Sequence, residues 1–256
     1  MTLAELLPAD VSASALVKLA VIAFVASVTR GFSGFGSALI FMPLAGIVVP
    51  PRTAAALLLV IDFIAAAPLV PNAWRLAQRK TVGIMAIGAL IGVPIGTWAL
   101  TRLDPIVTRW IIASLVLVLL ALLISGWRYR GDPHPSVVAG VGGLAGLTSG
   151  LAQTGGPPIV TFWLGQPIAS SVARANIVSY FAVSDLLSMG TYIASGLLKT
   201  DILGLCLIIG PIYGFGLFLG AQMFGVASET IFRRVCYSLI ALAGVIGLPL
   251  LDRFTH

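Results

Sequence analysis

Long apolar runs separated by short loops dominate this chain and restrict what it can fold into. A membrane-spanning helix needs about 20 mostly apolar residues, and the chain has room for eight to ten such segments but for no soluble domain beside them. Only 9% of its 256 residues are charged, whereas soluble domains carry roughly a quarter. The sequence therefore predicts an all-α, polytopic membrane protein. The apolar runs are Val11–Thr29, Gly34–Val49, Ala54–Val70, Val82–Leu100, Ile106–Ser125, Val137–Gln153, Pro157–Gly165, Ala175–Ser195, Ile202–Val226 and Ile231–Leu250.

The charged and sulfur-containing residues exclude several classes of function. The formal net charge is +6, but the basic residues lie in short loops, where Lys and Arg mark membrane topology, so the lipid bilayer and not nucleic acid is the predicted partner. Cys206 and Cys236 lie in apolar runs without a spacing partner, which supports neither a disulfide framework nor a metal site. No zinc motif, Walker loop or Ser/His/Asp set is present, so neither a cofactor nor an enzyme is predicted. Glu5 and Asp10 make the first ten residues acidic, and a cleaved leader is not expected.

A polar, glycine-rich break followed by two prolines interrupts the apolar sequence near residue 155. Proline suits the first turn of a helix, so Pro157-Pro158 predicts a helix start. The free N–H groups and dipole of that helix would attract an anion, and glycines would let it approach the backbone. The alternative is a loop or a kink in a packing helix. The candidate binding residues here are Gln153, Thr154, Gly155, Gly156 and Pro157.

The chain repeats itself at an offset of about 120 to 124 residues, which is a sign of internal duplication. Phe41–Leu44, for example, has the register of Thr161–Leu164. We expect two inverted repeats, residues 1–130 and 131–256, of about five segments each, with broken half-helices at matching positions that together form a transporter's binding site. In the first break Ser33 is expected to cap the helix that follows. The candidate residues there are Ser33, Gly34, Phe35, Gly36 and Ser37.

Four of the charged residues close to or inside apolar runs are candidate site residues. Asp62 and Asp185 occupy corresponding positions in the two predicted repeats, and an acidic residue inside a spanning helix is costly and usually marks an ion or proton pathway. The alternative is a structural carboxylate that accepts loop N–H bonds or pairs with an arginine. Arg52 and Arg174 begin their helices and are expected to reach an anion, or else to lie in the headgroup region as topology markers.

Glycine and tryptophan positions carry weaker information. Tryptophans near segment ends suit an interfacial belt, whereas Trp163 lies on the short segment after the glycines and is expected to pack. Glycine pairs four residues apart let helices approach closely, although they are too common to assign a dimer interface. These pairs are Gly92/Gly96, Gly142/Gly146, Gly146/Gly150 and Gly216/Gly220.

These motifs resemble the TauE/SafE family of sulfite and organosulfonate transporters. The resemblance is carried by Ser33–Ala38 leading to Phe41–Leu44, by Thr154–Pro158 and by the repeated layout, and it spans nearly the whole length. It implies a multi-pass protein of the bacterial inner membrane. It also implies secondary transport of a small sulfur-containing oxyanion, such as sulfite, sulfoacetate or taurine, without an ATP-binding subunit. Many relatives carry a fuller glycine run where this chain has Ser37 and Ala38.

Three alternatives accompany the expectation of a transporter whose proton coupling runs through Asp62 or Asp185. A passive anion channel would share the helix-end site but would not need buried acids. A membrane scaffold would leave the duplicated breaks unexplained, and an intramembrane enzyme would need a nucleophile and a base that the sequence does not suggest. A homodimer is left open. Saturable uptake that concentrates the anion distinguishes a transporter from a channel.

Overall fold

The computed structural model describes residues 11–223 and 229–250, and most of them are helical. Those two ranges contain no β-strand, so the predicted all-α class is confirmed. Each of the ten predicted apolar runs contains a helix, and the expectation concerning Glu5 and Asp10 lies outside the described residues. The helices are α1 (Ala13–Ser33), α2 (Ser37–Val48), α3 (Pro51–Ala66), α4 (Val70–Leu76), α5 (Arg79–Arg102), α6 (Pro105–Ile124), α7 (Pro135–Ala152), α8 (Gly156–Trp163), α9 (Ser170–Ala194), α10 (Thr200–Met223) and α11 (Glu229–Ile246), with a 3-10 turn at Ala67–Leu69 between α3 and α4.

Seven helices in the described part of the chain are long and apolar enough to cross a membrane. They are α1, the continuous stretch from α3 to α4, α5, α6, α7, α9 and α10. The short helices α2 and α8 have 12 and 8 residues, or about 18 and 12 Å at 1.5 Å per residue, whereas a bilayer core is about 30 Å thick. The protein is therefore a multi-pass membrane protein with two helices too short to span.

The first compact unit is built around the pairing of α1 with α10, and α2 packs against both α1 and α11. Close approach of α1 and α10 depends on glycine: a Cβ at Gly31 would overlap the backbone of Leu217, and one at Gly220 would overlap the backbone of Val28. Helices in lipid associate largely through such close packing. The unit consists of Met1–Ile61, Leu103–Leu120 and Gly196–His256.

Pro43 lies inside α2 and does not end it. Proline lacks an N–H and normally breaks a helix interior, but Pro43 is buried, and its ring packs where a side chain at Gly247 would otherwise lie. The surrounding contacts therefore keep the helix continuous from Ser37 to Val48.

The second compact unit is built around α5 and α7, which pack closely along most of their length. A Cβ on any of six glycines would lie within 3 Å of the facing helix, so the predicted close approach is confirmed. Since these surfaces are used within the unit, they are not available as a dimer interface. The six glycines are Gly88, Gly92 and Gly96 of α5 and Gly142, Gly146 and Gly150 of α7. The unit consists of Asp62–Arg102 and Ala121–Ser195.

Helix α9 is attached to the same frame by polar contacts. The Tyr180 hydroxyl donates to the Gly142 carbonyl and the Tyr192 hydroxyl donates to the Gly150 carbonyl, each at 2.8 Å. These two buried bonds join α9 to α7 at two levels. Trp163 packs as expected: it is 2% exposed and lies in the apolar cluster around Tyr180.

The two compact units do not coincide with residues 1–130 and 131–256, and the predicted division into two repeats stays a prediction. Each unit combines helices from both halves of the sequence. If α1 corresponds to α7 and α5 to α10, as the predicted repeat requires, then the pairs α1–α10 and α5–α7 are equivalent. These are the two most extensive helix pairings in the described residues.

We expect Gly146→Ala to destabilise the protein, because its added methyl group would press on the backbone of α5 at Ala89. Overpacking of this kind typically costs about 1 to 3 kcal/mol. The matched control is Gly140→Ala on the same helix, where no atom lies within 4 Å of the added carbon. Thermal unfolding in detergent should show a lower Tm for the first variant only. Equal Tm values for the two variants would contradict the packing described here.

Candidate functional site

The second break is a tight link between α7 and α8. Helix α7 ends at Ala152, and Gln153 follows with a φ of 56°, in the left-handed region that residues other than glycine rarely adopt. Helix α8 starts at Gly156 with prolines in its first turn, so the helix start predicted at Pro157-Pro158 is confirmed within one residue. The break is wrapped by protein, because Thr154, Gly155, Gly156 and Pro157 are all buried.

The start of α8 offers fewer donors than a typical helix end. The first four N–H groups of a helix have no partner within it, but Pro157 and Pro158 contribute none. The amides of Gly155 and Gly156 remain. A Cβ at Gly155 would overlap Ser149 Oγ and lie 2.6 Å from the Ala145 carbonyl oxygen. Glycine at position 155 therefore lets α7 pack against the backbone of the break, and that side of the backbone has no room for a ligand.

The two polar side chains of the second break point to different partners. Thr154 Oγ1 donates to the Thr148 carbonyl at 3.3 Å, and this residue is 1% exposed. Gln153 is half-buried, and its Nε2 donates to the Tyr192 hydroxyl at 3.4 Å. That hydroxyl in turn donates to Gly150 on α7. Tyr192 thus holds the strained glutamine against α9, and Gln153 is the more accessible of the two polar side chains.

The first break is built on glycines and differs from the second. Gly34 has a φ of 80° and ends α1, and Gly36 has a φ of 95° and precedes α2. The expectation that Ser33 caps α2 is wrong: Ser33 is the last residue of α1, and its hydroxyl bonds to the Thr29 and Phe35 carbonyls at 2.7 and 2.6 Å. The left-handed turns keep Ser33 on the side of α1, and no side chain caps α2.

The first break is also more open. Ser33 and Gly34 are exposed, Phe35 is half-buried, and a Cβ at Gly34 or Gly36 would meet no atom within 4 Å. Ser37 is buried and begins α2. Because no proline occupies the first turn of α2, its N–H groups are all present. This helix end keeps the donors that α8 has lost, with space beside the glycines that precede them.

The two intramembrane acids lie in different surroundings, and both belong to the second unit. Asp185 is 8% exposed in the interior of α9. It lies on the same face of that helix as Tyr192 and about 10 Å away along the axis at 1.5 Å per residue. Asp62 is half-buried and lies near the end of α3. Asp185 is therefore the acid that lies within two turns of Tyr192, the residue of α9 that contacts the second break.

The arginines are not brought to the break of their own unit. Arg174 is exposed near the start of α9, about 27 Å from Tyr192 along the helix axis. Arg52 is half-buried, and its Nη2 donates to the Leu103 carbonyl at 3.2 Å. It follows the far end of α2, about 18 Å from Ser37 along that helix.

Sequence reasoning missed a polar face on α9. Asn176, Tyr180, Ser188 and Tyr192 are all 0% exposed and recur every four to eight residues, on one side of a helix. The signal was present, because polar residues recur at helical spacing within an apolar run. Ser188 Oγ is buried without a hydrogen-bond partner among the described residues.

Replacing Tyr192 with Phe tests the support of the second break. The change removes the hydroxyl that holds both Gln153 and Gly150, so we expect faster hydrogen exchange at the amides of Thr154, Gly155 and Gly156. The matched control is Tyr180→Phe, which loses a bond of the same length to α7 but does not touch the break. Tyr192→Phe should lose about 1 to 3 kcal/mol of stability, because Gly150 lies in the last turn of α7 and its buried carbonyl loses its partner. Tyr180→Phe should lose about 0.5 to 1.5 kcal/mol, the net contribution of one hydrogen bond, because Gly142 lies inside the helix. Equal exchange rates at these three amides in the two variants would contradict the support of the break by Tyr192.

Comparison with protein families places these elements in a known group. Residues 19–246 match the family described as sulfite exporter TauE/SafE, a span that includes both breaks and both acids. A search of curated proteins and a search of solved structures found no significant match. The match extends over most of the 256 residues. The chain therefore belongs to the sulfite exporter TauE/SafE family.

Proposed function

We propose that this protein is a secondary transporter that moves a small sulfur-containing oxyanion, sulfite or an organosulfonate such as sulfoacetate or taurine, across the bacterial inner membrane. The observation that carries the proposal is the pair of interrupted helices in a multi-pass member of this family. Backbone that leaves the helix at membrane depth is tolerated only where protein or a water-filled cavity surrounds it. Short helices that start in such breaks are a common way to build a transporter's anion site.

Each break offers an anion mainly backbone donors. At the first break the amides of Ser37 and Ala38 and the positive end of the α2 dipole stabilise negative charge, and Gly34 and Gly36 leave space for it. At the second break Gly156 supplies an amide and Gln153 a side-chain amide. Amide N–H groups of this kind donate to an oxyanion without carrying an opposite charge. The anion is therefore not held by an ion pair and can be released.

The coupling of transport to protons is assigned to the intramembrane acids. A carboxylate buried in a spanning helix is costly when charged, which favours proton uptake and release as part of a transport cycle. Asp185 is the stronger candidate, because it is buried and lies two turns from Tyr192 on α9. Asp62 is the second candidate and occupies the corresponding position of the other predicted repeat.

Alternating access follows if the halves 1–130 and 131–256 are inverted repeats. In such transporters one repeat-related bundle rocks against another around a fixed site. The two breaks share two backbone features, because a left-handed residue follows the preceding helix and a glycine precedes the short helix. These shared features support a duplicated site.

We expect wild-type protein in proteoliposomes to accumulate sulfite or a sulfonate when a pH gradient is imposed, with saturable kinetics. Asp185→Asn should reduce this uptake to the level of empty liposomes, because the amide cannot carry a proton. The control is Asp132→Asn, which removes the same charge from an exposed loop residue. Uptake of sulfite, sulfoacetate, taurine, sulfate and chloride, measured side by side, identifies the substrate class.

Two outcomes would count against the proposal. Sulfite that equilibrates without accumulating, at a rate that does not saturate, indicates a passive channel. Gradient-driven flux that is unchanged in both Asp185→Asn and Asp62→Asn rules out proton coupling through these acids.

A further inference from the structure

A cavity of about 470 Å³ lies between the last two turns of α5 and the last turn of α9, within the second unit. Its volume falls in the range of ligand-binding pockets, about 300 to 1,000 Å³. None of the candidate anion-site residues of the two breaks lines it. The lining residues that bear on its chemistry are Thr97, Trp98, Thr101, Arg102, Thr191 and Ser195.

The charge on the cavity wall is positive. Arg102, exposed in the last turn of α5, is the one charged side chain among the described residues that line the cavity. Its planar guanidinium presents five N–H donors in a geometry that matches a phosphate or similar oxyanion. A cavity with a single arginine and no lining carboxylate selects an anion.

The hydroxyl groups of the wall can turn toward such an anion. Thr191 Oγ1 donates to the Ser188 carbonyl at 3.1 Å, so in its 3.0 Å bond with Thr97 the proton comes from Thr97. Thr101 Oγ1 donates to the Trp98 carbonyl at 2.9 Å. Carbonyls inside a helix also accept a backbone N–H. A hydroxyl that rotates toward a ligand therefore leaves no unpaired carbonyl behind.

The polar character extends inward from the cavity along α9. Ser188 lies one turn before Thr191, is 0% exposed, and its hydroxyl has no hydrogen-bond partner among the described residues. Buried polar groups are normally paired. The unpaired Ser188 hydroxyl, one turn from the cavity wall, is the kind of exception that a bound ligand or ordered water resolves.

We infer that this cavity binds a tetrahedral oxyanion, held by the Arg102 guanidinium and the hydroxyls of Thr101 and Ser195. The anion is either free in solution or the phosphate of an anionic lipid. Trp98 is 61% exposed next to Arg102 at the helix end, and tryptophan at that position is typical of the headgroup level of a membrane. The inference does not depend on the proposed transport activity.

The test compares Arg102→Gln with Lys80→Gln, which removes the same charge from an exposed position at the opposite end of α5. Thr101→Val is a second variant that keeps the side-chain shape. Inorganic phosphate is the free probe, measured by calorimetry in detergent. Phosphatidylglycerol is the lipid probe. Its binding is compared with that of zwitterionic phosphatidylcholine by native mass spectrometry.

Wild type and Lys80→Gln should bind one of the two probes with the same affinity. Arg102→Gln should bind it at least about tenfold more weakly, a loss of about 1.4 kcal/mol of binding free energy, because a hydrogen bond to a charged group is lost. Thr101→Val should also weaken binding. Loss of phosphate binding in Arg102→Gln identifies a site for free anions. Loss of phosphatidylglycerol binding alone in that variant identifies a headgroup site.

Equal binding by Arg102→Gln and Lys80→Gln, or no binding of either probe by the wild type, overturns the inference. Transport is measured separately in the same proteoliposomes. A protein that binds a probe through Arg102 but accumulates neither sulfite nor a sulfonate would refute the proposed function and leave this inference standing.

Discussion

Every peptide group of this protein that lies in hydrocarbon must find a hydrogen-bond partner inside the protein. The helix breaks at residues 33–37 and 153–157 interrupt the intrahelical hydrogen bonds that normally provide this partner. Each break has its own solution. At the second, Thr154 turns back to the end of α7 and the prolines of α8 remove donors that would otherwise need partners. At the first, the Ser33 hydroxyl hydrogen-bonds to two nearby carbonyls, and the first turn of α2 retains all its backbone N–H donors.

Close helix packing makes the second break possible. Glycines allow α5 and α7 to touch along their backbones, so the end of α7 is fixed in place. Tyr192 then joins that fixed end to α9 through Gly150 and holds Gln153 in its left-handed conformation. Strain at one backbone position is sustained only when its surroundings determine it strongly. Here a buried tyrosine and a glycine-lined helix pair provide that support.

The helices were predicted well from the sequence, because a membrane helix needs a long apolar run and proline is favoured in the first turn of a helix. The sequence did not predict how side chains are used. Ser33 has the residue type of a cap, but the positive φ values of Gly34 and Gly36 place it on α1 instead. Gly155 has the residue type of a ligand-approach glycine, but α7 occupies that space. Tyr192 was missed because its role depends on which helix faces it, and spacing along one helix does not contain that information.

We propose that backbone amides at the helix breaks bind the anion, and solid-state NMR of the Gly156 amide can test this proposal. The sequence contains two Gly-Gly bonds, Gly142-Gly143 and Gly155-Gly156. Labelling glycine with both ¹³C at the carbonyl and ¹⁵N therefore selects the amides of Gly143 and Gly156 in a carbonyl-to-nitrogen experiment. We expect saturating sulfite to shift the Gly156 signal and to leave the Gly143 signal, inside the α5–α7 packing, in place. A Gly156 signal that does not move, or that moves no more than that of Gly143, would contradict the account.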